Sequence, residues 1–146
     1  PITTVYLQYK TQQTLPQAML GMVGTLSQWA FDRGQLCGQH GLIAVVISTS
    51  GAHQHMSHAE LAQHVNNELH GVSPSLGHPI WHKVITEKRA TFSCDAGLKR
   101  PSHQTAHPHL FLAGDYIEGD YPATIEGAVR SGMQAAKLVL NSIQSP

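Results

Sequence analysis

Residues 42–69 read LIAVVISTSGAHQHMSHAELAQHVNNEL, and this stretch decides the class of fold. Its first part, residues 42–49, is an apolar run bounded by Gly41 and Gly51. That is the pattern of a strand buried on both faces. After His53 the period changes. Ser57 can accept the free N–H groups of a first helical turn, and Glu60 stands at the capping-box position three residues on. Leu61, Val65 and Leu69 then recur at four-residue spacing, which predicts one buried helix face ending near Gly71 and Pro74.

Working outward, residues 2–9 are β-branched and aromatic with rough alternation, so a half-buried strand is expected. Residues 10–17 are polar, carry Pro16 and read as a loop. Residues 18–23 and 27–31 read as a hairpin closed near Gly24 and Thr25, with Asp32, Arg33 and Gly34 making the next turn. Downstream, residues 81–92 (WHKVITEKRATF) predict a long strand with its charged positions toward solvent. Residues 97–108 read as an extended connection. Residues 110–113 (LFLA) predict a short buried strand running into Gly114 and Asp115. From Pro122 or Ala123 to Asn141, a stripe of Ile125, Ala128, Val129, Met133, Ala136, Val139 and Leu140 predicts a second main helix. Strands and helices do not alternate regularly, so the expected fold is α+β, a mainly antiparallel sheet with two main helices.

The composition bounds the function. The chain has 146 residues, 41% hydrophobic and only 12% charged, with nine basic and nine acidic side chains. This is the size of one compact domain, and the balanced charge argues against nucleic acid or anionic lipid as a partner. The longest apolar run, residues 42–47, is far shorter than the ~20 residues of a membrane-spanning helix. Cys37 and Cys94 lie too far apart for a CxxC or a zinc spacing, and a reducing cytoplasm fits them best. The chain begins at Pro1, directly inside a strand-like pattern, as a piece cut from a longer protein would.

The informative motif is residues 110–136, LFLAGDYIEGDYPATIEGAVRSGMQAA. A strand ends on Gly114, Asp115 comes directly after it, and a helix then opens with Ala123, Thr124 and Ile125 and carries Gly127 and Gly132 early. A glycine inside a helix costs about 1 kcal/mol relative to alanine, so both glycines suggest close packing against that helix. A helix N-terminus also offers unpaired N–H groups and a positive dipole to an electron-rich ligand atom.

The LAGDY followed by YPATIEGAVRSGMQAA resembles the C-terminal flavin-contacting motif of the FAD-dependent amine oxidase and phytoene desaturase superfamily. With the upstream QWAFDRG and ITEKRATF, the chain is most similar to the squalene-associated branch, the hydroxysqualene dehydroxylases of hopanoid biosynthesis. The resemblance implies a fragment of a two-domain flavoenzyme. Residues 1–109 would belong to the substrate-binding domain and residues 110–146 would form the FAD-contacting strand, turn and helix. It implies an FAD-dependent oxidoreductase acting on a long isoprenoid or an amine. The protein would be cytoplasmic, with membrane association of the full-length form left open.

The resemblance also assigns cofactor-binding positions. Gly114 would admit the cofactor close to the backbone, and Asp115 would meet its ribityl or pyrophosphate region. Ala123, Thr124 and Ile125 would direct N–H groups at the pyrimidine end of the ring. Gly127, Ala128 and Gly132 would keep the helix slim beside the FAD. No catalytic residue is assigned. The GxGxxG fingerprint that grips a dinucleotide does not occur, so an N-terminal dinucleotide-binding half is the expected missing partner. The chain alone is then expected to be inactive, to retain no FAD and to self-associate as a homodimer.

Competing readings are simpler. Gly114 and Asp115 suit an ordinary turn, and Glu118, Asp120 and Glu126 suit solvated charges better than acid–base catalysis. Neither His53, His55 and His58 nor His103, His107 and His109 have matching carboxylate or cysteine partners, so no metal site is expected; both sets are placed in loops, that of His53, His55 and His58 a solvated one. Trp29, Phe31 and Trp81 are core residues or, in a full enzyme, the wall of an isoprenoid tunnel. A non-catalytic domain that uses the helix N-terminus near residue 123 for an anion or a partner is the alternative from a different functional class.

Overall fold

The computed structural model describes residues 1–144. The chain divides into two compact units, Pro1–Ala90 and a second beginning at Thr91. Residues 91–109 therefore belong to the same unit as the C-terminal helix.

The first unit carries five strands: β1 (Ile2–Gln8), β2 (Met19–Gly21), β3 (Trp29–Asp32), β4 (Leu42–Ser48) and β5 (Trp81–Glu87). They form one sheet in the order β2-β3-β4-β1-β5, and every neighbouring pair is antiparallel. Helix α1 (Arg33–Cys37) comes after β3, and helix α2 (His58–Val72) joins β4 to β5. The expected α+β class and antiparallel sheet are thus observed. No helix among the described residues is long and apolar enough to cross a membrane.

Alternation along β1 explains the layering. Thr3, Val5, Leu7 and Tyr9 are all buried, while Ile2, Thr4, Tyr6 and Gln8 are only half-buried. Because opposite residues of an antiparallel pair share a face, the registers Val5–Val45, Leu7–Ile43 and Val5–Val84 place one apolar layer on one side. Helix α2 covers that layer with Leu61, Ala62, Val65 and Leu69, the stripe expected from the sequence. Its predicted cap is present: Ser57 Oγ accepts from Glu60 N (3.3 Å), and the Glu60 carboxylate accepts from Ser57 N (2.8 Å). Tyr9 Oη donates to Asn66 Oδ1 at 2.8 Å, which satisfies a buried polar pair inside the layer.

The other face of the sheet is open. Trp29, Phe31, Tyr6, Val46 and Ile85 share it by register, with Trp29 47% and Ile85 51% exposed. Trp29 and Phe31 stack with ring centroids 6.3 Å apart.

Three local expectations need correction. Asp32 does more than end a turn. It caps α1 and ties a distant loop to it, accepting from Gln35 N (3.1 Å), Leu15 N (2.8 Å) and Thr14 Oγ1 (2.5 Å). The strand predicted over residues 81–92 stops at Glu87, because its ladder to β1 ends with the Ile2–Glu87 pair and Glu87 Oε1 then accepts from Arg89 N in a turn. His53 does not lie in a solvated loop. It belongs to a short 3₁₀ turn, Ala52–His55, and is 3% exposed.

Candidate functional site

The second unit contains helix α3 (Ile125–Gln144) and the irregular chain before it. Residues 110–113 are not the expected buried strand. Among the described residues they have a single bridge, Gln104–Phe111, and Leu110 is 49% exposed. A strand needs a ladder of partners to satisfy its N–H and C=O groups, and the described residues of this unit offer no sheet for it to join.

The turn after this segment is pinned from several sides. Gly114 N donates to Ser131 Oγ (3.0 Å), which also lies 3.3 Å from His103 Nε2. The Arg100 guanidinium donates to the carbonyls of Ile117 and Gly119. Glu118 N donates to Pro101 O (3.0 Å), and Ala123 N donates to Asp115 O (3.2 Å). Arg100, His103 and Ser131 are thus the braces of the site. Sequence reasoning passed over Arg100 and Ser131 and weighed His103 only as a metal ligand, although Ser131 stands one helical turn after Gly127 and shares its small-residue face with Ala135.

The two key glycines have reasons internal to the fold. Gly114 adopts φ +154°, and a Cβ there would run into the Tyr116 ring. A Cβ at Gly127 would collide with the Tyr121 carbonyl oxygen. Gly132 differs, since nothing stands within 4 Å of where its Cβ would be. Its presence therefore has no steric cause among the described residues.

Helix α3 starts in a way that leaves donors free. Ala123 adopts φ 57°, a left-handed conformation uncommon for a residue with a side chain. Thr124 is the cap: its Oγ1 donates to Tyr121 O (2.9 Å) and accepts from Gly127 N (3.0 Å), while its carbonyl accepts from Ala128 N (3.0 Å). The N–H groups of Thr124, Ile125 and Glu126 have no partner among the described residues. The N–H of Ala123 is already committed to Asp115 O, so only Thr124 and Ile125 of the three assigned positions retain a free donor. The half-buried Asp115 carboxylate likewise has no protein partner among the described residues.

Charges elsewhere in this unit are occupied or solvated. Arg130 pairs with Glu126 (2.5 Å) and lies 4.6 Å from the Tyr121 ring centroid, and Glu118 and Asp120 are exposed. No group of three or more His, Cys, Asp or Glu side chains is gathered in metal-binding geometry among the described residues.

A turn that admits no Cβ at Gly114 or Gly127, with three N–H groups and one carboxylate unpaired among the described residues, makes a suitable contact for a large polar cofactor. The chain belongs to the family of flavin containing amine oxidoreductases, whose sequence pattern it matches over residues 1–140. Among its relatives, the hydroxysqualene dehydroxylase of Zymomonas mobilis subsp. mobilis is 34% identical over 96% of this chain and 33% of its own length. The hydroxysqualene dehydroxylase of Rhodopseudomonas palustris is 33% identical over 95% of this chain and 32% of its own length. The probable zeta-carotene desaturase of Synechococcus elongatus is 31% identical over 72% of this chain and 23% of its own length. The chain therefore spans about a third of the length of the dehydroxylases it matches.

Proposed function

We propose that this chain is the C-terminal part of an FAD-dependent oxidoreductase that acts on a long isoprenoid of the hydroxysqualene or carotene type. The observation that carries the reading is the turn from Asp115 to Glu126, where a free carboxylate and free N–H groups stand together in the family's motif. The relatives' names support the isoprenoid class over an amine.

In this reading Gly114 lets the cofactor approach the backbone, Asp115 accepts hydrogen bonds from it, and Thr124 and Ile125 donate N–H groups to its ring. The bound flavin would supply hydride transfer. Gly127 and Ala128 serve by letting the turn close as it does. The functional boundary is placed at residues 109 and 110, and residues 100–104 act as braces from the other side of it. The open sheet face with Trp29, Phe31, Tyr6 and Ile85 is suited to an apolar substrate, because flat aromatic area binds polyene and isoprenoid chains without fixed polar contacts.

This reading predicts that the 146-residue chain retains no stoichiometric FAD, since it holds only part of the contacts and no Gly-rich phosphate site. Absorbance of the purified, dialysed chain checks this, and a flavin band near one equivalent would contradict it.

It also predicts self-association. The apolar stripe of α3 points outward, with Ile125 86% exposed and Val129, Met133, Leu140 and Ile143 exposed beside it, whereas Ser131 and Ala135 are buried. An uncovered stripe of that kind favours pairing, and a dimer is its simplest closure. Light scattering at rising concentration should show mass above that of a monomer.

A further inference from the structure

Gly114 stands directly before Asp115, at φ +154°. Glycine has the widest backbone freedom of any residue, so nothing intrinsic to it fixes the direction in which the chain enters Asp115. That direction is set from outside. Gly114 N donates to Ser131 Oγ (3.0 Å), and Ser131, on α3, is only 6% exposed. Gly114 O accepts from Ile117 N (3.4 Å), and Asp115 O accepts from Ala123 N (3.2 Å). The peptide groups on both sides of Asp115 are thus held, while its carboxylate has no protein partner among the described residues.

Ser131 is itself held. Its hydroxyl already accepts from Gly114, which leaves its hydrogen free for His103 Nε2, 3.3 Å away. The His103 carbonyl accepts from Leu112 N (2.8 Å). His103 therefore grips residues 112–114 twice, through its backbone at Leu112 and through Ser131 at Gly114. A serine in solvent rotates its hydroxyl freely, whereas this one is directed by a partner on each side.

We propose that Ser131 is a positioning residue of the cofactor contact: with its hydroxyl steered by His103, it fixes the Gly114 peptide so that the Asp115 carboxylate is presented to a hydrogen-bond donor of the flavin cofactor. The inference rests on the flavin reading of this turn. In it Ser131 and His103 act through Asp115, not on the cofactor. Holding an acceptor in place beforehand removes the cost of ordering it when the cofactor arrives. A hydroxyl that served only to satisfy Gly114 N would stabilise the turn without regard to Asp115, and the two roles separate in a double-mutant cycle.

The first measurement uses the 146-residue chain. The amide proton resonance of Gly114 should move upfield in Ser131→Ala, which removes its acceptor, and keep its place in Ser131→Thr, which retains the hydroxyl. The second uses the flavin-loaded longer protein and the dissociation constant of FAD. Ser131→Ala should weaken FAD binding by about three- to tenfold, less than Asp115→Ala, because the carboxylate is misaimed and not removed. In an Asp115→Ala background the same change should matter by less than about twofold, and Ser131→Thr alone should match the parent. His103→Leu should weaken FAD binding by a smaller factor than Ser131→Ala, since Gly114 keeps its acceptor. The proposal is overturned by an unmoved Gly114 resonance in Ser131→Ala, by losses that add in the double variant, by equal binding in Ser131→Thr and Ser131→Ala, or by unchanged binding in His103→Leu. Those results leave the flavin reading standing wherever Asp115→Ala still loses FAD. Asp115→Ala with the parent's FAD affinity would overturn the flavin reading of the turn, and this inference with it.

Discussion

Replacing Asp32 with Leu should cost about 3 kcal/mol or more of the first unit's stability, a large part of what a domain this size has. The carboxylate accepts from Leu15 N, Gln35 N, Thr14 Oγ1 and Gln35 Nε2 (3.0 Å), and it is 2% exposed. A leucine would strand two backbone donors, each costing about 1–3 kcal/mol when buried and unmatched. Asp32→Asn should cost less, since its remaining oxygen still accepts. Chemical denaturation of both variants measures the difference.

The same residue sets a pH dependence. Burial alone would raise the Asp32 pKa, but the hydrogen bonds from Thr14, Leu15 and Gln35 outweigh it and hold the group below its ordinary value. A carboxyl with a depressed native pKa stabilises the fold fully above its unfolded value, and that contribution is lost as pH falls through the native one. The parent should therefore lose this contribution progressively as pH falls from the ordinary carboxylate range through the lower native value, with Asp32→Asn lacking this component. A parent and variant that lose stability in parallel with falling pH would contradict the assignment.

Asp32 also shows where the sequence stops being legible. The strand at 42–48 and the helix at 58–72 could be read because their signals are local: an apolar run, a serine and glutamate three apart, leucines and a valine four apart. What Asp32 does depends on Thr14 and Leu15, which only the folded chain brings to it. Residues 110–113 have the composition of a strand, yet a strand exists only where a neighbour offers a ladder. The stripe on α3 was visible as a period of 3.6, but periodicity shows which residues share a face and not what covers it. His53 sits in a polar run, AHQH, with nothing to announce that its ring is buried.

The candidate site divides the same way. Its motif could be found from Gly114, Asp115 and the start of α3, whereas its braces at Arg100, His103 and Ser131 could not, because they act across the chain. Gly127 and Gly132 look alike in sequence. In the structure one is indispensable to its turn and the other stands in open space.

That contrast yields the site prediction with the largest effect. In the flavin-loaded longer protein proposed here, Gly127→Val should abolish stoichiometric flavin. Its Cβ cannot coexist with the Tyr121 carbonyl oxygen, so the turn must open, the Thr124 cap breaks, and the free N–H groups lose their positions. The fold should suffer too, by about 1–3 kcal/mol for a forced backbone shift. Asp115→Ala should act differently. It leaves the turn intact, because Ala123 donates to the backbone carbonyl of Asp115 and not to its carboxylate. Flavin affinity should then fall by about 1–3 kcal/mol with thermal stability of the flavin-free protein unchanged. Gly132→Val is the control that decides between two positions for the cofactor. With open space around it, the substitution should leave apo stability unchanged or slightly raised, as valine is a better helix former than glycine. If it also leaves flavin content unchanged, the cofactor meets α3 only at its first turn. Loss of flavin in an otherwise stable Gly132→Val protein would instead show that the cofactor lies along the helix as far as Gly132. Normal flavin content in Gly127→Val would overturn the assignment of the site to this turn.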